Sequence, residues 1–108
     1  MSDKRVEVLV LEGCPHIEAA LARVRAAHDA ASVGVEVRVV QIEDDAHARR
    51  VRFLGSPTVR VDGVDVDPSS RQRDDFGLQC RVYSVDGRLE GAPPAEWIEA
   101  ALRGEPLA

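Results

Sequence analysis

Two cysteines and their immediate neighbours are the residues of this 108-residue chain that could carry chemistry. The first stands in the segment Gly13-Cys14-Pro15-His16-Ile17, where an aliphatic run ends and a helical pattern begins. A helix N-terminus has four backbone N–H groups without intrahelical partners and the positive end of the helix dipole, so it favours an anion such as a thiolate. We therefore predict that Cys14 is a reactive and at least partly exposed thiol. His16 could add positive charge beside it, although an exposed histidine at a helix start would look the same.

The second cysteine, Cys80, lies in residues 78–83, where Leu78, Cys80 and Val82 alternate with polar side chains. This alternation predicts a half-buried strand with Cys80 packed on its core face. The alternative is that Cys80 is a second thiol, either resolving or metal-binding. A disulfide would require its Cα atom to lie within about 7 Å of the Cα atom of Cys14.

The elements that position these cysteines follow from the hydrophobic pattern. Residues 5–11 are nearly continuous in aliphatic side chains and predict a strand buried on both faces. Apolar residues recur at helical spacing from Ile17 onward and predict a first helix that runs to about Ala31, with Pro15 in its first turn. The remaining pattern predicts strands at 35–42, 56–61 and 78–83, a second helix at 46–53 capped by Asp44 or Asp45, and a last helix opened by Pro93-Pro94 and closed by Gly104.

The order of these elements predicts an α/β fold, β-α-β-α-β-β-α, in one domain covering residues 1–108. The strand–helix–strand start predicts a right-handed parallel unit. Asp62-Gly63 predicts a hairpin turn, and Asp86-Gly87 predicts another turn. We expect a four-stranded mixed sheet in the order 2-1-3-4 with helices on both faces. A short strand at residues 64–66 is an alternative partner for the third strand.

Composition and charge exclude several classes of function. The formal net charge is −5, which argues against general binding of nucleic acid, and no apolar run is long enough for a membrane span. Two cysteines far apart in sequence fit a cytoplasmic protein, and no pattern indicates a cofactor or an oligomeric state. The arginines at 49, 50 and 52 predict a solvated helix face, and the alternating aspartates at 62, 65 and 67 predict a solvated edge.

Two motifs in register resemble the thioredoxin-like superfamily over most of the chain. Cys14 ends the first strand and opens the first helix, and Gly55-Ser56-Pro57-Thr58 looks like the cis-proline motif of that superfamily, with Pro57 lying 43 positions after Cys14. Cys14-Pro15-His16 is similar to the Cys-Pro-His-Cys of bacterial disulfide oxidases. The resemblance extends to small bacterial thioredoxin-like proteins, some of which are labelled alkylmercury lyase, but the further cysteine and acid cluster that carbon–mercury cleavage would need is not visible here.

The resemblance implies a thiol site in which Cys14 reacts and Pro15, His16, Ser56, Pro57 and Thr58 bind the partner. The Ser56–Pro57 bond is predicted to be cis. The Ser56 N–H and C=O are expected to pair with a peptide or with glutathione in β-fashion.

The sequence departs from the oxidase motif at one position, and this departure shapes the functional hypotheses. Ile17 stands where a Cys-x-x-Cys pair would have its second cysteine, which excludes dithiol chemistry within that motif. The first hypothesis is a single-thiol protein whose Cys14 forms mixed disulfides with a small thiol or a protein. The second is a soft-metal module in which Cys14, with or without Cys80, binds Hg(II) or a similar ion. The third is a non-catalytic interaction domain that keeps the fold.

Overall fold

A computed structural model describes residues 4–105, which form an α/β fold. The strands are β1 (Lys4–Val10), β2 (Val35–Gln41), β3 (Thr58–Val61), β4 (Val64–Asp65), β5 (Tyr83–Val85) and β6 (Arg88–Glu90). The α-helices are α1 (Ile17–Ala31), α2 (Asp45–Arg50) and α3 (Ala95–Leu102), and a 3-10 helix covers Pro68–Gln72. Among these described helices, none is long and apolar enough to cross a membrane.

Four strands form a mixed sheet in the order β2-β1-β3-β4. β1 and β2 are parallel, as predicted, and β1 and β3 are antiparallel. The fourth strand is the alternative at Val64–Asp65, since Asp62 and Gly63 adopt φ angles of 50° and 84° and close a two-residue hairpin. Residues 78–83 therefore do not belong to this sheet, and β5 and β6 form a separate two-stranded hairpin.

Helices cover both faces of the sheet, as predicted. Val6, Val8 and Val10 alternate along β1 and pack with apolar residues of α1 and α3. Leu9 points to the opposite face and packs with Ala48 of α2. The second half of β1 is thus buried on both sides, which explains its uninterrupted aliphatic sequence.

The second helix is shorter than predicted. The Asp44 carboxylate accepts a hydrogen bond from the His47 N–H and caps its start. At the other end Arg52 takes a left-handed conformation, with φ of 59°, and the Phe53 N–H bonds back to the Ala48 carbonyl at 2.8 Å. This is a Schellman ending, and it turns Phe53 into the core instead of continuing the helix.

The last helix matches its prediction, and α1 ends at Ala31 as predicted. α1 covers residues 17–31, and Ala20, Val24 and Ala27 form its buried stripe. In α3 the buried residues are Ile98 and Leu102. Asp86 and Gly87 form the second predicted turn, which joins β5 to β6.

Candidate thiol site

Cys14 lies in the turn between β1 and α1. Its N–H bonds to the Leu11 carbonyl at 3.1 Å, and its side chain is a free, half-buried thiol. The helix begins at Ile17 with His16 as its N-cap, so Pro15 precedes the helix. The prediction that Pro15 occupies the first helical turn is therefore wrong, because the non-helical backbone of His16 separates the two. Cys14 stands just outside the helix terminus, partly exposed as predicted.

The imidazole of His16 packs against the backbone of Gly91. A Cβ atom at Gly91 would lie 2.7 Å from three atoms of the ring, so only a glycine allows this contact. The loop that follows Gly91 is tied to α1, because the Arg23 guanidinium donates to the Ala92 carbonyl at 2.6 Å and pairs with Glu90 at 2.8 Å. His16 is exposed, yet its ring has a defined position beside the Cys14 turn.

The segment from Ser56 to Thr58 is fully enclosed. The Ser56–Pro57 bond is cis, as predicted. The Thr58 hydroxyl donates to the Gly55 carbonyl at 2.6 Å, and the Tyr83 hydroxyl donates to the Pro57 carbonyl. Pro57 and Thr58 are buried, so their side chains support the segment from within rather than lining an open surface.

Ser56 connects the two segments that carry the cysteines. Its hydroxyl oxygen accepts a hydrogen bond from the Leu11 N–H at 3.0 Å, three residues before Cys14. Its backbone N–H donates to the Gln79 carbonyl at 2.9 Å, and its carbonyl accepts from the Arg81 N–H at 3.0 Å. The two residues that flank Cys80 are therefore bonded to Ser56 as a parallel bridge.

This bridge corrects the prediction that Ser56 offers a free backbone to a partner. The N–H and the C=O that would pair with a peptide or with glutathione in β-fashion already bond to residues 79 and 81 of the same chain. A partner could use them only after displacing this segment. What the structure places beside Ser56 instead is Cys80 itself.

The prediction that Cys80 packs in the core is also wrong. Cys80 is exposed, and its neighbours Leu78 and Val82 are 45% and 57% exposed. Arg81 and Tyr83 are buried instead. The exposure of these side chains alternates as predicted, but the face that carries Arg81 and Tyr83 is the one that turns inward.

Arg81 turns inward because two carboxylates receive it. Its guanidinium pairs with Asp65 at 2.7 Å and with Asp67 at 3.3 Å, and donates to the Thr58 hydroxyl at 3.0 Å. It also stacks over the Tyr83 ring at 4.6 Å. The prediction that Asp65 and Asp67 form a solvated edge is wrong for this reason, whereas Asp62 is exposed as expected.

The charges of this cluster explain the ionisation of its members. Burial alone would lower the pKa of Arg81, but Tyr83, Asp65 and Asp67 raise it, so the guanidinium stays charged. Burial raises the pKa of Tyr83 far above its usual range, so its hydroxyl remains a donor to Pro57. The sequence signal for the cluster was the two-residue spacing of Asp65 and Asp67.

A cluster of metal-ligating side chains is absent from the part of the chain that the structure describes. Residues 4–105 contain no group of three or more His, Cys, Asp or Glu side chains that could hold a metal ion.

Arg49 and Arg50 are exposed on α2, as predicted for a solvated face, but Arg52 lines a pocket.

Comparison with known proteins identifies no relative of this chain. No protein-family model matches the chain, and neither a curated protein nor a solved structure matches it.

Proposed function

We propose that the chain is a thioredoxin-like thiol protein in which Cys14 forms a mixed disulfide with a small thiol and Cys80 resolves it. The observation that carries the proposal is the position of Ser56 between both cysteine segments, with bonds to Leu11 on one side and to Gln79 and Arg81 on the other. The sheet order β2-β1-β3-β4, with Cys14 after β1 and Pro57 before β3, supports the thioredoxin-like assignment.

The proposed reaction is a thiol–disulfide exchange with a small disulfide such as oxidised glutathione. The Cys14 thiolate attacks one sulfur, a Cys14–glutathione bond forms, and one glutathione thiolate leaves. The Cys80 thiolate then attacks the Cys14 sulfur and releases the second glutathione. The protein dithiol loses two electrons and becomes a disulfide, while the small disulfide gains them and becomes two thiols.

Exposure and position suit the two cysteines to these different roles. Cys14 is half-buried beside the N-terminus of α1, where an anion is favoured, and His16 lies next to it. Cys80 is exposed on a segment whose flanking residues are fixed, so its thiol is accessible without unfolding. The setting we propose is the cytoplasm, where glutathione is abundant and stable disulfides are uncommon.

Intact-mass spectrometry with oxidised glutathione tests the proposal on three proteins: the wild type, Cys14→Ser and Cys80→Ser. We expect Cys80→Ser to stop at one glutathione adduct on Cys14. The wild type should pass through this adduct to the Cys14–Cys80 disulfide, which is lighter than the reduced protein by two hydrogen atoms. Cys14→Ser should acquire an adduct on Cys80 more slowly, because that thiol has no helix terminus beside it.

Two outcomes would contradict the proposal. Equal adduct rates in Cys14→Ser and Cys80→Ser would show that Cys14 is not the preferred nucleophile. A wild type that stays at the Cys14 adduct would remove the resolving role of Cys80 and leave a single-thiol protein.

The occupied backbone of Ser56 favours a second candidate, the non-catalytic interaction domain. Because residues 79 and 81 already use its N–H and C=O, the fold is complete without a partner at this position. If both cysteines react with glutathione no faster than an unstructured cysteine peptide, this candidate takes the lead.

A further inference from the structure

A pocket of about 280 Å³ lies between the end of α2, β3 and the 3-10 helix, and its described lining includes neither Cys14 nor Cys80. Four arginines line it: Arg52, Arg60, Arg71 and Arg73. Among its described lining residues, Asp65 is the one carboxylate. We call these residues the arginine pocket. Such a concentration of positive charge is unexpected in a chain whose net charge is −5.

Three of the four guanidinium groups are held in place by the protein. Arg60 donates to the carbonyls of Val51 and Arg52 at 2.7 and 3.0 Å. Arg52 stacks over the Phe76 ring at 4.9 Å. Arg73 donates two hydrogen bonds to the exposed carboxylate of Asp75, at 2.7 and 2.9 Å. The donors are therefore preorganised, which lowers the entropy cost of binding a ligand.

The positive charge in the pocket is only partly compensated, because among the described residues Arg73 has a carboxylate within ion-pair distance whereas the other three arginines do not. Asp65 is already paired with the buried Arg81, at 2.7 and 3.2 Å. Within residues 4–105, no carboxylate lies within ion-pair distance of Arg52, Arg60 or Arg71. Burial lowers the pKa of Arg60, the carboxylates of Asp65 and Glu7 raise it, and the like charges of Arg81 and Arg52 lower it again. A bound anion would relieve this repulsion.

We propose that the arginine pocket binds a small phosphate-bearing ligand. Guanidinium groups present planar pairs of donors that match the oxygens of phosphate, and several of them can neutralise a dianion. The pocket volume is near the lower end for ligand sites, which suits one phosphate group on a small organic molecule rather than a polymer. Nothing in this binding step uses either cysteine, so it stands or falls independently of the thiol proposal.

Titration calorimetry on the full chain tests the proposal with two probes, inorganic phosphate and glycerol 3-phosphate. We expect saturable one-to-one binding, with backbone NMR shifts concentrated at the lining residues. The test variant is Arg52→Gln with Arg71→Gln, which should weaken binding at least about tenfold because charge-assisted hydrogen bonds are lost. Arg71→Gln alone serves as a second variant, since Arg71 is exposed and its replacement leaves the fold intact.

The matched control is Arg49→Gln with Arg50→Gln, which removes the same charge from the exposed face of α2. We expect it to change the dissociation constant less than about twofold, because solvent and salt screen distant charges. Equal weakening by both double variants would overturn the proposal, since binding would then depend on general charge. The absence of saturable binding, or equally tight binding of acetate, would also overturn it. Tighter binding of glycerol 3-phosphate than of inorganic phosphate would identify an organic phosphate as the ligand.

Discussion

Replacing Arg81 by methionine tests whether the buried ion cluster fixes the segment that carries Cys80. The Arg81 side chain is completely buried, and its removal leaves the carboxylates of Asp65 and Asp67 without their cation while both are nearly buried. Breaking a buried pair in this way costs about 3–5 kcal/mol, out of a total stability of roughly 5–15 kcal/mol for a small domain. Methionine keeps much of the side-chain length, so the loss reports mainly on charge.

Urea denaturation measures this loss of stability. With a denaturant slope of about 2 kcal/mol/M, the midpoint of Arg81→Met should fall by roughly 2 M. Arg38→Met is the matched control, because Arg38 pairs with Glu36 on the exposed surface and should lose at most about 1 kcal/mol. Adding Asp65→Asn and Asp67→Asn to Arg81→Met should recover part of the stability, since no uncompensated charge remains.

The same variant has a second readout at Cys80. In a Cys14→Ser background, Arg81→Met should raise the rate at which a disulfide reagent modifies Cys80, because the Arg81 N–H bond to Ser56 loosens. A loss of stability below about 1 kcal/mol would refute the reasoning on the cluster. An unchanged Cys80 rate with a large loss of stability would show that the segment is held by other contacts.

Three further substitutions test neighbouring features. Gly91→Ala should displace the His16 ring, seen as a shift of its imidazole NMR signals, whereas Gly77→Ala, where a Cβ atom meets nothing within 4 Å, should not. Ser56→Ala should cost about 1–3 kcal/mol in chemical denaturation, because the Leu11 N–H loses its acceptor; no loss would contradict that bond. The pKa of Asp62 is lowered mainly by the hydrogen bond from the Arg5 N–H and to a smaller extent by Lys4. The ionised Asp62 therefore contributes stability above its ordinary pKa of about 3.9, and this contribution is lost as the pH falls through the lower folded value. Asp62→Asn should therefore flatten the acid limb of a stability–pH curve.

Local signals predicted most of the fold. The aliphatic run of β1 located that strand within one residue, and the helical spacing of α1 located its buried face and its end, because both faces of the strand and one face of the helix are buried. The dipeptides Asp62-Gly63 and Asp86-Gly87 predicted both hairpins, since their positive φ angles suit these residue types. The fourth strand was found only as an alternative, because Val64–Asp65 is too short for an alternation pattern.

The orientation of residues 78–83 could not be predicted from apolar alternation. A period of two identifies two faces but not which of them is buried, and hydrophobicity favoured Leu78 and Val82. Arg81 is buried because its guanidinium pairs with the carboxylates of Asp65 and Asp67, which lie 16 and 14 residues earlier in the chain. A contact between positions so far apart leaves no periodic signal, so the sequence placed Cys80 on the wrong side.

The same cluster bears on which partner Cys14 can accept. An extended peptide that paired with Ser56 would have to break the bonds to Gln79 and Arg81 and pull the Arg81 guanidinium out of its buried pairs. That displacement costs about 3–5 kcal/mol before any new contact forms, which two replacement backbone hydrogen bonds at about 1 kcal/mol each would not offset. A small thiol needs neither backbone group of Ser56, because it has only to reach the half-buried sulfur of Cys14. For the thiol exchange proposed above, the energetics of the Arg81 cluster therefore favour a small thiol over an extended protein segment as the partner of Cys14.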